Sequence, residues 1–286
     1  MIRLVTWNVQ WFRGLDGRVD PARVIAHARS LADFDVLCVQ ELADHYPAPM
    51  LAGNDEADQF AVLAALLPGF EIVAGVGSDH PGSGRRRRFG NAIASRLPVR
   101  QVRRHLLPWP ADPSVSSMQR VAVEATVATP SGEWRVTTTH LEYYSRIQRA
   151  AQVARLRELH AQASAHAEAP GAGGDADGPF RVFPEARAAI VAGDFNLPAG
   201  DAQYRAMLEP FADRTPRFHD AWTLVHGSAP QPATFCRHVP FAPGSVPIAC
   251  DFVFVSDDLA PRVRSVAVDT DTRLSDHQPV VVTLGD

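Results

Sequence analysis

Hydrophobic and polar residues repeat with two different periods along this chain. Short runs that are apolar throughout, or that alternate with polar residues, predict β-strands. Apolar residues spaced three and four apart predict helices with one buried face. The predicted strands are residues 3–7, 35–40, 70–76, 121–128, 134–139, 188–192, 251–255 and 279–284, and the predicted helices are residues 21–31, 55–67, 147–166 and 201–208.

The order of these elements predicts the fold class. Strands and helices are interleaved, but residues 121–128 and 134–139 form an antiparallel hairpin around a Pro-Ser-Gly turn. The regular β-α-β units of a doubly wound parallel sheet are absent from the pattern. We therefore predict an α/β (α+β) fold in which two mixed β-sheets pack on each other with helices outside.

Three segments fall outside the periodic pattern. Residues 77–90 are predicted to be a glycine-rich loop, and residues 169–179, rich in Gly, Ala and Asp, a mobile loop. Residues 211–248 are proline-rich, and the pattern assigns no element to most of them.

Composition narrows the class of protein. The chain has 286 residues, 46% hydrophobic and 21% charged, which is ordinary for one soluble domain spanning residues 1–286. The sequence shows no secretory leader pattern and no apolar run near the ~20 residues that a membrane span needs. We expect a cytoplasmic monomer.

Charge and cysteine content add two restrictions. The net charge of -4 gives no general attraction to nucleic acid, and all 28 basic residues are arginine, so any phosphate contact has to be made by a guanidinium group. Cys38, Cys236 and Cys250 show no C-x-x-C spacing, so the sequence indicates neither a disulfide framework nor a zinc site. We predict that they are buried thiols.

Polar side chains stand at the ends of many apolar runs. After the run 188–192 come Asp194 and Asn196, which in extended chain would point the same way. An alternative is that residues 193–198 are only a turn, for which Asp, Asn and Pro are ordinary residues. The same placement recurs along the chain, and the polar residues at strand ends are Asn8, Glu41, His140, Asp194, Asn196, Asp251, Asp276 and His277.

These residue types indicate a class of chemistry. Carboxylates and amides without cysteine are the ligands that a hard divalent cation, Mg²⁺ or Mn²⁺, prefers. Histidines can share or move protons near neutral pH. Together they suit the attack of water on a phosphorus atom, where negative charge on the oxygens has to be neutralised.

Six short motifs around these residues resemble the endonuclease/exonuclease/phosphatase superfamily and occur in that family's order. They are Thr6-Trp7-Asn8-Val9, Val39-Gln40-Glu41, Thr139-His140-Leu141, Gly193-Asp194-Phe195-Asn196, Asp251-Phe252-Val253-Phe254 and Ser275-Asp276-His277. One such motif is weak, but six in order are highly specific. The resemblance implies a four-layer α/β/β/α sandwich.

The resemblance also implies roles for the metal-binding and paired residues. Glu41 resembles the principal metal ligand, with Asn8 and Asp276 close to the same ion. His277 resembles a histidine that is paired with a carboxylate, here Asp251, which would fix its tautomer.

Four further residues take implied roles around the phosphate. Asp194 and Asn196 resemble the pair that positions or activates water and contacts the phosphate. His140 resembles the second histidine, which hydrogen-bonds the phosphate or helps the leaving group. Asn91 resembles a substrate-side amide.

The chain departs from the family pattern at two places. Gln10 stands where apurinic endonucleases carry an aspartate, which argues mildly against that subgroup. Ala249-Cys250 stand where many members have Arg-Ile, so that arginine is missing.

The substrate side of the site is less specific. Arg88, within the run 85–88, could grip a polyanion, or the run could be a solvated loop. Tyr143 could stack on a base or line a headgroup pocket, or it could pack against the helix that follows. Arg149 of that helix could reach the site, although a place on the helix surface is the simpler interpretation, and we expect His160 to lie on the surface.

Our hypothesis is a Mg²⁺- or Mn²⁺-dependent phosphoesterase that acts on a phosphate-ester substrate, possibly nucleic acid, with a nuclease somewhat favoured. The alternatives are a sphingomyelinase-like or inositol-phosphatase-like enzyme and a non-catalytic relative that binds a phosphorylated ligand. A carboxylate-metal hydrolase of a non-phosphate bond is disfavoured because the sequence has no zinc-type histidine spacing.

Overall fold

The computed structural model describes residues 1–171, 178 and 180–286, so most of the predicted mobile loop 169–179 lies outside the described residues. Two six-stranded sheets form the centre of the fold. The first contains, from edge to edge, β11 (Val263–Val268), β12 (Val280–Leu284), β1 (Ile2–Asn8), β2 (Val36–Asp44), β4 (Arg86–Ser95) and β3 (Glu71–Pro81). The second contains β5 (Val99–Leu106), β6 (Val121–Thr129), β7 (Gly132–His140), β8 (Ala189–Asp194), β10 (Asp251–Ser256) and β9 (Phe218–Asp220).

Both sheets are mixed, and each has a parallel pair at its centre. β1 pairs with β2 in parallel, and β7 pairs with β8 in parallel, whereas the other neighbouring strands are antiparallel. The carboxyl ends of a parallel pair meet at the same edge of a sheet. The two pairs therefore deliver the residues at their ends to two neighbouring edges.

Apolar side chains make three layers of contact. Residues such as Leu4 and Ile93 of the first sheet and Val123 and Ile190 of the second form the core between the sheets. The helices in the described part of the chain are α1 (Pro21–Leu31), α2 (Gln59–Leu66), α3 (Arg146–Glu168), α4 (Ala202–Leu208) and α5 (Ala221–His226). α1 and α2 pack on the outer face of the first sheet, and α3 and α4 pack on the outer face of the second. The prediction of two packed sheets with helices outside is confirmed.

Several local predictions are confirmed by the structure. α1 begins at Pro21, and the side chain of Asp20 accepts a hydrogen bond from the backbone N–H of Arg23, as a capping residue does. The predicted hairpin is formed by β6 and β7. The three cysteines are buried and free.

The predicted glycine-rich loop 77–90 is wrong. Most of it belongs to β3 and β4, which continue as a hairpin with only residues 82–85 between them. Backbone pairing overrides the polar composition, and the charges are accommodated by ion pairs such as that of Arg86 with Asp79, 2.5 Å apart. α2 likewise starts at Gln59 and not at residue 55, because Asp58 caps it and residues 55 and 58 form β-bridges.

The surface assignments on α3 are also wrong. Ile147, the first residue of the predicted helix 147–166, is 61% exposed, whereas His160 and Arg149 are buried. His160 accepts a hydrogen bond at Nδ1 from Arg135 (2.6 Å) and donates one at Nε2 to the carbonyl oxygen of Pro216 (2.7 Å). These polar partners explain how a histidine is accommodated under a helix.

His160 belongs to a buried charge network beneath α3. The carboxylate of Glu124 accepts hydrogen bonds from Arg135 (3.0 Å) and Arg103 (3.1 Å). We call Arg103, Glu124, Arg135 and His160 the α3 network.

No helix among the described residues has the length and apolar character needed to cross a bilayer.

Candidate active site

The two parallel strand pairs bring four predicted residues to one cleft between the sheets. β1 ends at Asn8, β7 at His140 and β8 at Asp194, and Glu41 lies near the end of β2. The Asn8 amide nitrogen donates hydrogen bonds to Glu41 Oε1 (3.1 Å) and to Asp194 Oδ2 (3.0 Å). One amide therefore joins a carboxylate of the first sheet to a carboxylate of the second.

The backbone is unusual at these strand ends. Glu41 has φ 63° and lies where the pairing of β2 with β4 shifts between Val39 and Leu42, as in a β-bulge. Asn196 has φ 52°, and its backbone N–H donates to Asp194 Oδ1 (2.9 Å). Non-glycine residues rarely adopt such angles, and residues held in them concentrate at functional sites.

A glycine permits the close approach of β7 and β8 beside Asp194. Gly193 has φ 140°, and a side chain there would clash with the carbonyl oxygen of Thr139. The next backbone contact runs from the Leu141 N–H to the Asp194 carbonyl oxygen at 2.9 Å. The glycine therefore sets the spacing at which His140 and Asp194 face each other.

Two histidines approach the same carboxylate oxygen. Asp194 Oδ2 lies 3.4 Å from His140 Nε2 and 3.6 Å from His277 Nε2. The other ring nitrogen of His277, Nδ1, donates to Asp251 Oδ2 at 2.9 Å. A histidine held between two carboxylates has a fixed orientation and tautomer.

The two histidines carry different charges. Burial lowers the pKa of His140 well below its usual value, and Arg120 and His277 lower it further. Burial also disfavours the charged form of His277, but Asp251 and Asp194 outweigh it and raise the pKa of His277 well above its usual value. Near neutral pH, His140 is neutral and His277 is positive.

The carboxylates of the cleft repel one another. Burial and the nearby Asp276 raise the pKa of Glu41 to about 7. Burial raises the pKa of Asp194 to about 6, and Asp251 adds to the shift. Like charges in a buried site make the ionised forms costly unless a cation neutralises them.

A hard divalent cation fits this set of donors. Glu41 and Asp276 both line the cleft, and both offer carboxylate oxygens. Gln10 Nε2 donates to Asp276 Oδ2 at 2.8 Å. Gln10, which stands where apurinic endonucleases carry an aspartate, therefore orients a carboxylate of the cleft. Asn8 presents its amide nitrogen to the carboxylates, while its Oδ1 accepts from the Gln10 N–H (3.1 Å).

The cleft has a volume of about 280 Å³, and one side of it is aromatic. We call Glu41, His140, Asp194, Asp276 and His277 the cleft cluster. The other residues that line the cleft are Gln10, Trp11, Phe89, Met118, Arg120, Tyr143, Tyr144, Asn196, Phe235 and Phe241.

The three predicted substrate-side residues are placed differently from one another. Tyr143 lines the cleft and packs edge-on against Phe235 and Phe241. Asn91 is buried, donates to the carbonyl oxygen of Val121 (3.0 Å), and lies beside His140 in a small adjoining cavity. Arg88 is outside both sets of lining residues.

Ion pairs engage two of the four arginines in the run 85–88. Arg88 pairs with Asp44 and, at 3.3 Å, with Asp58, while Arg86 pairs with Asp79. The guanidinium groups are thus engaged with carboxylates of the first sheet's hairpin and helix cap. Their availability to a polyanion is correspondingly reduced.

Arg120 and Phe235 are two of the lining residues that were not singled out from the sequence. Arg120 is buried, its Nε donates to Glu142 (3.2 Å), and its Nη1 has no hydrogen-bond partner among the described residues. It stands directly before β6, so the strand-end criterion that selected Asp251 would also have found it. The Phe235 ring packs against the His277 ring, tilted by 31° with 4.7 Å between the ring centroids, but Phe235 lies in a segment without a recognisable pattern.

Comparisons with known proteins show the family and the fold. The sequence model of the Endonuclease/Exonuclease/phosphatase family matches residues 5–277. No curated protein matches the chain. Among solved structures, an endonuclease/exonuclease/phosphatase from Beutenbergia cavernae is 23% identical, with a TM-score of 0.67 over 99% of this chain and 72% of that one.

Two other solved structures show how varied the similar proteins are. D. rerio TDP2 complexed with a single-strand DNA product is 20% identical, with a TM-score of 0.65 over 100% of this chain and 99% of that one. A mannosyl-6-phosphatase of Bacteroides thetaiotaomicron is 19% identical, with a TM-score of 0.63 over 100% of both chains. At these identities the likeness shows a shared fold.

Proposed function

Because the chain belongs to the endonuclease/exonuclease/phosphatase family, we propose that it is a Mg²⁺- or Mn²⁺-dependent phosphoesterase whose catalytic centre is the cleft cluster. The observation that carries this proposal is the approach of two histidine rings to the Asp194 carboxylate beside Glu41 and Asp276. Water activation, charge neutralisation and leaving-group protonation thus have candidate residues within one cleft.

The divalent ion would be held by Glu41 and Asp276, with Asn8 beside them. When bound, it would neutralise developing charge on a phosphoryl oxygen. Asn8 links Glu41 to Asp194 and so sets the distance between the metal-binding side and the water-activating side.

Asp194 is the proposed base. Its Oδ1 is fixed by the Asn196 N–H, and its Oδ2 faces both histidines, so the carboxylate is held in one orientation. It would accept a proton from the attacking water. His277, positive between Asp194 and Asp251, would then stabilise the negative charge at the phosphorus atom.

His140 and Arg120 are proposed to act on the phosphate oxygens. Neutral His140 can donate one hydrogen bond from whichever ring nitrogen carries the proton. The free Nη1 of Arg120 can donate another, which would be charge-assisted. Both side chains line the same cleft as Asp194.

The aromatic side of the cleft favours a phosphodiester with a flat group next to the phosphate. Tyr143, Phe235 and Phe241 are neighbours there, and flat groups such as nucleobases stack on aromatic rings. A nuclease acting on a strand end fits this cleft better than one gripping long duplex DNA, since Arg86 and Arg88 are ion-paired. A sugar or inositol phosphate is the second candidate, because one similar fold belongs to a mannosyl-6-phosphatase.

The test compares a diester with a monoester and then extends to natural substrates. Hydrolysis of bis(p-nitrophenyl) phosphate and p-nitrophenyl phosphate is measured with Mg²⁺, with Mn²⁺ and with EDTA. Single-stranded DNA, plasmid DNA, RNA, sphingomyelin and inositol phosphates follow. We expect metal-dependent diester hydrolysis that EDTA abolishes, and absence of hydrolysis across all these substrates contradicts the proposal.

Asp194→Asn separates catalysis from binding. The amide keeps the shape of the side chain but accepts no proton, so the rate should fall on the order of 10²-fold or more. Asp258→Asn is the matched control, since Asp258 is an exposed carboxylate outside the cleft lining. Equal rates for the two variants would remove Asp194 from the mechanism.

A further inference from the structure

A thiol that the proposed hydrolysis does not use lies beside the His277 pair. Cys250 is fully buried, and its Sγ is 3.6 Å from Asp251 Oδ2. Donor atoms of Asp194, Cys250, Asp251 and His277 all lie within 4.8 Å of one another, and all four residues are buried. No other cluster of this kind is found in the described ranges 1–171 and 180–286.

The cluster is held by backbone and side-chain contacts that do not depend on a metal. Asp251 and Asp194 face each other across the β8–β10 ladder. Thr234 Oγ1 accepts hydrogen bonds from the backbone N–H groups of Cys250 (3.0 Å) and Asp251 (3.1 Å). Asp194, Cys250 and Asp251 are thus preorganised by two strands and one buried hydroxyl, and His277 is held beside them by its hydrogen bond to Asp251.

One carboxylate oxygen of this cluster lacks a partner. Asp251 Oδ2 is bonded to His277, but Asp251 Oδ1 is buried and has no hydrogen-bond partner among the described residues. A buried unpartnered oxygen is costly and calls for an explanation. A cation bound at this carboxylate would supply one.

Thiol and imidazole donors select a different metal from that of the cleft. Mg²⁺ prefers oxygen donors, whereas Zn²⁺ takes cysteine, histidine and aspartate in tetrahedral sites. Zinc bonds of about 2.0–2.1 Å to O or N and 2.3 Å to S imply ligand separations of roughly 3.3–3.6 Å. The Cys250–Asp251 separation of 3.6 Å already matches, and the His277–Asp251 hydrogen bond of 2.9 Å would lengthen by roughly half an ångström.

We propose that Asp194, Cys250, Asp251 and His277 form a second metal site that takes Zn²⁺, and that its occupation inhibits the enzyme. Zn²⁺ takes the place of the proton between His277 and Asp251, and the thiol proton is also released to solvent. Because Asp194 and His277 line the cleft, the ion reaches the cluster from there. The inhibition rests on the proposed function, whereas the binding does not.

Cobalt absorption tests the thiolate directly. Bound metal is first removed from the whole chain, and excess Mg²⁺ is then added to occupy oxygen-rich sites. Co²⁺ is added last, and the near-ultraviolet thiolate-to-cobalt charge-transfer band is recorded. We expect the band in the unsubstituted chain, and we expect Zn²⁺ to displace it. Absence of the band overturns the proposal without any substitution being needed.

Two serine variants assign the sulfur atom. Cys250→Ser should abolish the band and weaken Zn²⁺ binding by at least ~10-fold, the smaller effect typical of losing even an outer partner of a metal ligand. Cys236→Ser is the matched control, because Cys236 is also buried but lies outside the cluster and accepts from the Phe241 N–H. A band that survives in Cys250→Ser contradicts the assignment.

The inhibition has its own measurement. Each variant's hydrolysis with Mg²⁺ and Zn²⁺ is expressed relative to its own rate with Mg²⁺ alone, and Cys250→Ser should need at least ~10-fold more Zn²⁺ for half-inhibition. Equal zinc sensitivity in Cys250→Ser and Cys236→Ser overturns the inhibitory role. A chain that shows the cobalt band but hydrolyses no phosphate ester contradicts the proposed function and leaves the zinc site supported.

Discussion

The cleft cluster and the α3 network are built from similar side chains but balance their charges in opposite ways. In the α3 network, burial disfavours the Glu124 carboxylate, yet Arg135 and Arg103 outweigh it and lower the Glu124 pKa below its usual value. In the cleft, burial and Asp276 raise the Glu41 pKa to about 7. One set of charges is paired within the protein, and the other has carboxylates in excess.

This difference indicates a structural role for the α3 network and a proposed functional role for the cleft cluster. Glu124, the one acid of the α3 network, has two guanidinium partners, and we assign the network to stabilising the contact between α3 and the second sheet. The cleft cluster holds three carboxylates, those of Glu41, Asp194 and Asp276, against the single positive charge of His277, which costs stability. We propose that the binding of a divalent ion offsets this cost in stability.

Matched glutamine substitutions should have opposite effects in the two regions. Glu41→Gln should lower the hydrolysis rate by about 10³-fold or more, since metal binding contributes several kcal/mol to such reactions. In EDTA at pH 8 it should also raise the free energy of unfolding by about 1–3 kcal/mol, because a carboxylate with a raised pKa destabilises the folded state once it is ionised.

Glu124→Gln is the counterpart of that variant. It should lower the free energy of unfolding, because Arg135 would lose its buried partner. Denaturant unfolding monitored by circular dichroism, together with diester hydrolysis, measures both quantities. A change of the free energy of unfolding in the same direction in both variants would contradict the proposed difference between the two regions.

Removing one of the two guanidinium groups of the α3 network should cost about as much as breaking a buried ion pair. Arg135→Met leaves Glu124 buried without its nearest guanidinium group, and the free energy of unfolding should fall by about 3–5 kcal/mol. Arg100→Met serves as the control, because Arg100 is exposed and lies 3.9 Å from Glu133, and its effect should stay within about 0.5 kcal/mol. A loss for Arg135→Met no larger than the control's would exclude a structural role for the network.

The pH dependence of stability should report His160. Burial lowers the pKa of His160 to about 4, with Arg135 contributing, so between pH 4 and the ordinary pKa of 6.5 the unfolded chain binds more protons than the folded one. The stabilising effect of neutral His160 is therefore complete above pH 6.5 and is lost as the pH falls toward 4.

The predicted loss from this residue is about 2–3 kcal/mol across that range. His160→Gln should flatten the stability profile by this amount, whereas His80→Gln, at an exposed position, should leave it unchanged. Urea unfolding at several pH values gives the profile. Parallel profiles for the unsubstituted chain and His160→Gln would show that His160 titrates alike in both states.

Much of the cleft could be predicted from the sequence because its residues follow recognisable apolar runs. Asn8, His140 and Asp194 are each the last residue of a strand, and parallel pairing then brings them together. The bulge that turns Glu41 toward the cleft was not visible, since it depends on how β2 pairs with β4. The sequence pattern also gave no sign that Phe235 contacts His277, because the contact is made by an irregular segment.

The α3 network could not be predicted, for a physical reason. Arg135 looks like a solvent-facing residue of a predicted strand, Arg103 lies in a segment to which the pattern assigns no element, and His160 looks like a polar residue on a helix surface. Their burial is caused by tertiary packing of α3 on the second sheet, and only there does each meet its partner. β5, with its many charged residues, was missed because its strand structure depends on pairing with β6.

Thermal unfolding with and without Mg²⁺ tests the central claim most directly. The unsubstituted chain, Glu41→Gln and a control, Glu158→Gln on the exposed face of α3, are treated with EDTA and then titrated with Mg²⁺. A ligand that binds only the folded state raises the unfolding temperature. The account predicts that Mg²⁺ stabilises the unsubstituted chain and the control but not Glu41→Gln; the same shift in all three, or none in the unsubstituted chain, would contradict it.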